Sequence, residues 1–302
     1  MQVPQKQSYS LNRMMPYLLI SPTLAIIVIF LFYPMANVFR YSLFSYNISK
    51  PYTNGFAGLG NFIKIFTDDP IFWGSLLVSV KWVLWTVSVQ LVFGMILALV
   101  LNKKFRCRGL FRTILFSPWA ISGILTSMLF ILLYNEHMGF INSAMTDSGL
   151  WERGVAWTAN MNTVFGAIVA AEIWRGLPFF IIIFLAALQS ISTEIYESAD
   201  IDGAGFIRIF WFITLPFLKN SIVFATLLRI IWEFNDIDVI YVITKGGPSN
   251  ATLTLGMYTI NQAIKSGEFG YGSALNVVSF IILLIFIGVY LKLTKYSQEV
   301  TK

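Results

Sequence analysis

The side chains suited to chemistry in this 302-residue chain are few, and several of them sit inside apolar runs. Glu172 and Arg175 stand three apart, Arg229 and Glu233 four apart, so on helices each pair meets on one face. Mutual neutralisation is the plain reading of both pairs, because a charge within a bilayer is costly unless paired or turned to an aqueous interior. A second group is the run "WEFNDIDVIY", residues 232–241, where Asn235, Asp236 and Asp238 interrupt an apolar stretch. Planar hydrogen-bonding groups beside aromatic rings can hold a polyhydroxylated solute weakly enough to release it, although polar side chains also bind helix to helix. A third is "EIYESADIDGAGFIRIFWFITLP", residues 194–216, an acidic, glycine-bearing segment between two apolar runs.

Catalytic chemistry has little to work with. Cys107 and His137 are each the sole residue of their type, which leaves no disulfide framework and no cysteine-based metal site within the chain. The sequence has no GxxxxGK[ST] phosphate loop, no HExxH and no GxSxG. The expectation is no catalytic residue, no metal and no cofactor bound by this chain; if ATP is used, another chain binds it.

The elements that must position these residues follow from composition. Hydrophobic residues make up 57% and charged residues 12%, against roughly 25% charged in an ordinary soluble domain. The apolar residues fall in long runs, and a helix needs about 20 of them to cross a bilayer. Six runs qualify: residues 17–39, 73–101, 110–134, 164–188, 222–243 and 274–293. The predicted fold is all-α, a polytopic helical membrane protein with six transmembrane helices and a cytoplasmic helix between the fourth and fifth. Residues 1–16 form a tail and 17–302 the membrane domain. The first run is a retained helix, lacking a signal's basic lead and cleavage pattern, and Pro16, Pro22 and Pro34 are positioned to bend it.

Lys and Arg set the orientation. With the amino terminus inside, the inner segments carry Lys6, Arg13, the cluster Lys103, Lys104, Arg106, Arg108 and Arg112, then Arg208, Lys219, Lys292, Lys295 and Lys302. That is twice the number on the outer segments, so both termini and residues 191–216 are expected to be cytoplasmic. The net charge of +6 is thereby explained by topology. Nucleic acid is excluded as a partner, because the one basic cluster abuts a helix end rather than covering a folded face.

In residues 191–216, Ser192 or Thr193 suits an N-cap, and Glu194 and Glu197 lie in the first turn, where carboxylates favour the positive helix end. The short helix should end at Asp202, with Gly203 at the position after the cap. A second helical piece, "FIRIFWFITL", follows Gly205 and ends near Pro216.

The succession Glu197-Ser198-Ala199, Asp202-Gly203-Ala204 and Ile213-Thr214-Leu215-Pro216 resembles the "EAA" loop of inner-membrane permeases in binding-protein-dependent ABC importers. Ser198 replaces the usual middle alanine, small for small. "GLGNFIKIFTDDPIFWGSL", "RGLFRTILFSPWA", "WRGLPFFIIIFLAALQSI" and "YVITKGGPSNATLTLGMYTINQAI" extend the resemblance, in order, to the carbohydrate-uptake branch of maltose or glycerol-phosphate type, and to the first permease of a heterodimeric pair. The resemblance implies a bacterial inner-membrane subunit that pairs with a second permease, two ATPase subunits holding ATP and Mg, and an extracytoplasmic solute-binding protein. Its cargo would be a sugar or oligosaccharide.

It further implies that the loop docks on an ATPase, with Glu197 as docking acid, Gly203 as hinge, Asp200 and Asp202 as partners for basic groups, and Ser198, Ala199 and Ala204 completing the motif. Asn235 and Asp236 fall where maltose-type permeases line the sugar cavity, with Trp174, Trp232, Tyr241 and Asn276 as candidates to complete it. The turn at residues 244–254 would approach the solute-binding protein. Two other classes stay open: a secondary transporter driven by an ion gradient acting on Glu233, Asp236 and Asp238, and a membrane-embedded enzyme.

Overall fold

The computed structural model describes residues 8–294, with side chains from Met15 onward. Lys6, Lys295 and Lys302, which enter the charge argument, and residues 1–7 of the expected tail lie outside the described residues. Among the described residues, five helices are long and apolar enough to cross a membrane: Met15–Ser42, Pro70–Asn102, Val164–Gln189, Phe206–Ile243 and Phe269–Thr294. The pair Arg108–Ala120 and Gly123–Leu133, bent by 104°, makes a sixth if the two pieces count as one span. The polytopic helical architecture expected from the apolar runs is present, with the third run broken rather than straight.

The chain divides into two compact units. One takes the residues up to Asp68 together with Thr259–Val278, the other Asp69–Tyr258 with the residues from Ser279 on.

In the first unit, α1 (Ser8–Ile27) passes through a π turn at Val28–Phe32 into α2 (Tyr33–Ser42). A proline two residues past such a turn has a physical reason. Its ring clashes with the carbonyl four residues back and it offers no N–H, and a locally widened turn relieves both. Pro34 stands in that relation to Val28–Phe32, and Pro216 stands in the same relation to the π turn Phe210–Thr214. After α2 comes a minimal antiparallel ladder, β1 (Phe44–Ser45) with β2 (Gly55–Phe56), paired Phe44 to Phe56 and Ser45 to Gly55. Asn61, in α3 (Gly60–Thr67), ties the ladder to α2 by donating its amide to the carbonyls of Ser42 (2.9 Å) and Phe44 (3.0 Å).

The second unit is organised on α4 (Pro70–Asn102). Its start is fixed by Asp69, whose carboxylate accepts from the backbone N–H groups of Ile71 (2.9 Å) and Phe72 (3.2 Å) and from the Tyr258 hydroxyl (2.6 Å). After α4 come α5 (Arg108–Phe116), α6 (Gly123–Leu133), α7 (Phe140–Asp147), α8 (Val164–Gln189), α9 (Thr193–Ile201), α10 (Phe206–Ile209), α11 (Leu215–Asn235) and α12 (Asp238–Ile243). Then α13 (Leu255–Ile260) and α14 (Phe269–Thr294) complete the chain.

α4 packs along α8, burying Val87 and Ala98 on the one helix and Phe180, Ile181 and Phe184 on the other, and Gly94 lies where a Cβ would press on Phe180. Leu84, Trp85 and Phe93, on the other side of α4, are more than half exposed. Among lipid-embedded helices the gain comes from close packing rather than escape from water, so small residues at the contact and bulky ones facing outward are the expected arrangement.

Two local readings need correction. The helical piece after Gly205 does not stop near Pro216: α10, the π turn and α11 run on as one helix, because the widened turn absorbs the proline. The fifth span accordingly begins before residue 222, and it is interrupted at Asp236, whose backbone is extended (ψ 129°) between α11 and α12.

Candidate functional site

Residues 191–216 form a folded segment that exposes acids on α9 and large apolar side chains, Ile201, Phe206, Ile207, Trp211 and Phe212, around and after it. Ser192 sits at the N-cap of α9 without a side-chain capping bond, and Glu194 alone of the acids occupies the first turn, Glu197 lying beyond it because the helix begins at Thr193. The helix closes on a full Schellman pair: Ala204 N–H donates to the Ala199 carbonyl (2.9 Å) and Gly203 N–H to that of Asp200 (3.0 Å), with Gly203 at φ +75°. Glycine suits this left-handed position, which other residues rarely adopt.

The closure folds Ala199, Asp202 and Ala204 over Arg208, Ile209, Phe212 and Ile213, around a hollow of about 190 Å³. Tyr196 adds a hydroxyl contact to Thr214 (3.3 Å) in the π turn. Ala199 is the buried residue of α9, while Glu197, Ser198, Asp200 and Asp202 are exposed. The acids of this segment therefore face outward from a short helix whose inner side is pinned, an arrangement fit for recognition by another surface.

The second cluster lies within the spans. Glu172 is fully buried and receives two bonds from Arg175, Nε to Oε2 at 2.8 Å and Nη2 to Oε1 at 3.0 Å. The same carboxylate accepts from Arg229 Nη2 at 2.6 Å, so the two local pairs are joined across α8 and α11. Arg229 also pairs with Glu233 one turn on, and its Nε donates to Gln90 Oε1 (2.9 Å), whose amide donates in turn to the Glu172 carbonyl (2.9 Å). Arg175 reaches Asp236 as well, and the other oxygen of Asp236 accepts from the Asp238 N–H (2.9 Å), fixing the break before α12.

Three carboxylates thus share two guanidiniums. Only the rim is open, with the side chains of Arg175 17% and Asp236 23% exposed. A polar rim of this kind cannot face hydrocarbon without cost, which assigns it to an interior or aqueous side.

The sequence candidates fall around this cluster unevenly. Asn235 is exposed and turns its amide back on the Ile231 carbonyl (2.8 Å). Trp232, 45% exposed, rests edge-on against Phe179, and half-buried Trp174 against Phe130. Tyr241 is exposed on α12. Asn276 is exposed on α14 and belongs to the other unit. Asp238 lies against Gly123, where a Cβ would strike its carboxylate. The turn at residues 244–254 is held by buried Thr252, whose hydroxyl donates to the Gly247 carbonyl (2.8 Å) and meets that of Thr244 (2.7 Å).

Residues 90–294 match the family described as "Binding-protein-dependent transport system inner membrane component". The chain belongs to this family. This inner membrane component is 34% identical over 286 residues to the trehalose/maltose transport system permease protein MalF of Thermococcus litoralis, covering 94% of each chain. It is 35% identical over 284 residues to the sulfoquinovosyl glycerol transport system permease protein SmoG of Agrobacterium fabrum, covering 94% of this chain and 91% of that one. It is also similar to the arabinooligosaccharides transport system permease protein AraP of Bacillus subtilis, at 32% over 284 residues, covering 92% and 88%. Among solved structures, a chain of a bacterial ABC transporter involved in import of the acidic polysaccharide alginate shares its fold, with a TM-score of 0.83 over 96% of this chain and 99% of that chain at 19% identity.

For this permease, sequence reading found the two intrahelical ion pairs but not their union. Gln90 was the missed member. A lone glutamine in the middle of a long apolar run is a signal in its own right, because an amide inside a membrane span needs partners. Gly176 was missed for a related reason: a Cβ there would collide with the Arg229 guanidinium and the Gln90 amide, so its role is room rather than backbone freedom.

Proposed function

We propose that this permease forms part of the membrane channel of an ATP-driven importer of a sugar or oligosaccharide. ATP and Mg are held by two partner ATPase subunits, one of which grips residues 191–216. A second permease completes the channel, and an extracytoplasmic solute-binding protein delivers cargo near residues 244–254. The protein is multi-pass in the bacterial inner membrane, with both termini cytoplasmic. Trp174, Trp232, Asn235, Asp236, Tyr241 and Asn276 are the candidates for contact with the solute.

The observation that carries this reading is the protrusion itself. A short helix displays Glu197, Asp200 and Asp202 outward while its inner face is pinned by Ala199 and a glycine closure. Such a solid knob can transmit a rigid-body pull to the spans on either side. The carbohydrate names of the relatives supply the cargo class. A neutral cargo is also favoured over glycerol phosphate, since Arg175 and Arg229 are both engaged by carboxylates.

The test is ATP hydrolysis by the reconstituted complex. Gly203→Pro and Glu197→Ala are expected to insert normally and to lose solute-stimulated hydrolysis. Normal coupling in both variants sinks the assignment, and solute uptake by this chain alone in ATP-free vesicles transfers the protein to the ion-driven class.

A further inference from the structure

The segment after α4 gathers Lys103, Lys104 and Arg106, and α5 adds Arg108 and Arg112, with no Asp or Glu in residues 103–116. The first three side chains are exposed. Arg108 and Arg112 lie one turn apart on α5 and converge on a single acceptor. With the Gln189 amide turned so that its oxygen faces them, it accepts from Arg108 Nη2 (3.3 Å) and Arg112 Nη2 (3.0 Å). The Nε of each arginine is buried and without a hydrogen-bond partner. One neutral carbonyl oxygen therefore serves two guanidiniums, which between them carry ten N–H donors.

The remainder of α5 is built for lipid. Leu110 (59% exposed), Phe111 (50%) and Ile114 (58%) project from it, Leu110 and Ile114 on the side away from the two arginines. The helix meets α6 at 104°. A short helix with a basic side, an apolar side and a sharp turn into a span has the form of an element lying in the membrane–water boundary.

We infer that Arg108 and Arg112, beside Gln189 and flanked by Lys103 and Lys104, hold the phosphate of an anionic phospholipid headgroup whose acyl chains lie along Leu110 and Ile114. Guanidiniums match phosphate oxygens in pairs, and such an anion would be met by the Nη groups, the two Nε atoms being buried. Basic side chains gathered at helix ends on the boundary are where lipid headgroups of this charge are recognised. The site adjoins the protrusion twice over: Gln189 ends the helix from which residues 191–216 hang, and Lys103 Nζ lies 5.5 Å from the centre of the Phe206 ring. The bound lipid would accordingly brace the root of that segment.

The full-length chain, purified with the subunits that accompany it, is reconstituted into nanodiscs containing phosphatidylcholine and phosphatidylglycerol, and retained lipids are counted by native mass spectrometry. The wild type should keep phosphatidylglycerol over phosphatidylcholine. Arg108→Gln with Arg112→Gln should reduce that preference roughly 25-fold, about fivefold for each arginine removed. Arg108→Lys with Arg112→Lys, which keeps the charge and loses the fork, should fall between.

A control that removes equal charge elsewhere, Arg153→Gln with Lys265→Gln, should change nothing. No preference in the wild type, an undiminished preference in the glutamine pair, or an equal fall in the control overturns the proposal. Should the glutamine pair not assemble, the wild type decides alone: its preference must decline with added salt and must not be displaced by soluble glycerophosphoglycerol at matched concentration. The readout is binding, so its failure leaves the transport reading untouched, and the reverse holds as well.

Discussion

Acidic residues serve opposite ends in two parts of the second unit. On α9 and its cap, Glu197, Asp200 and Asp202 are solvated and none holds the segment together; Ala199, Gly203 and Tyr196 do that. Within the spans, Glu172, Glu233 and Asp236 are tied to Arg175 and Arg229, and the tie joins helices that the chain separates by dozens of residues. The contrast is one of surroundings rather than of residue type. Where water supplies the solvation, a carboxylate can be kept for a partner; where it does not, the carboxylate becomes part of the framework.

The sharpest way to break this contrast is to remove a buried cation. Arg229→Ala leaves Glu172 and Glu233 short of a counter-charge and Gln90 short of a donor, and it should cost about 3–5 kcal/mol, the usual penalty for orphaning a buried ion pair. A collapse of the thermal unfolding midpoint in detergent would register it, and partial recovery is expected when Glu233→Gln is added. Gly176→Ala leaves every charge in place but drives a methyl group into the Arg229 and Gln90 side chains; about 1–3 kcal/mol is expected from such overpacking. The same melting experiment checks it.

On the protrusion the effects should shrink. Gly203→Ala forces a side chain into φ +75°, worth roughly 1–2 kcal/mol of local strain, visible as faster amide exchange at positions 203 and 204 before any global change. Glu197→Ala should shift stability by no more than about 0.5 kcal/mol, as a surface substitution does, while solute-stimulated ATP hydrolysis is lost. An Arg229→Ala protein that melts like the wild type, or a Glu197→Ala protein that melts far below it, would erase the distinction.

What could be read from the sequence follows the reach of each signal. The spans were legible because a run of apolar residues is a local fact, and so were the pairs Glu172 with Arg175 and Arg229 with Glu233, fixed by helical spacing. The end of α9 at Asp202 and Gly203 was legible too, since the closure is written in consecutive residues. The bond from Arg229 to Glu172 and the clamp by Gln90 were not, for no spacing relates residues on three different helices. The 104° bend in the third run, expected as one helix over residues 110–134, was not read, for it depends on packing, and α12 against α6 supplies that packing. The continuity of the helix through Pro216 was misread, because a proline alone does not announce that the preceding turn will widen.

The helix that runs unbroken from Phe206 to Asn235 counts 30 residues. At helical rise that amounts to about 45 Å, half as long again as a hydrocarbon slab of about 30 Å. A good part of it must therefore stand clear of the oil, like the handle of an oar beyond its rowlock, and a small swing imposed near Phe206 is carried along its length to the kink at Asp236.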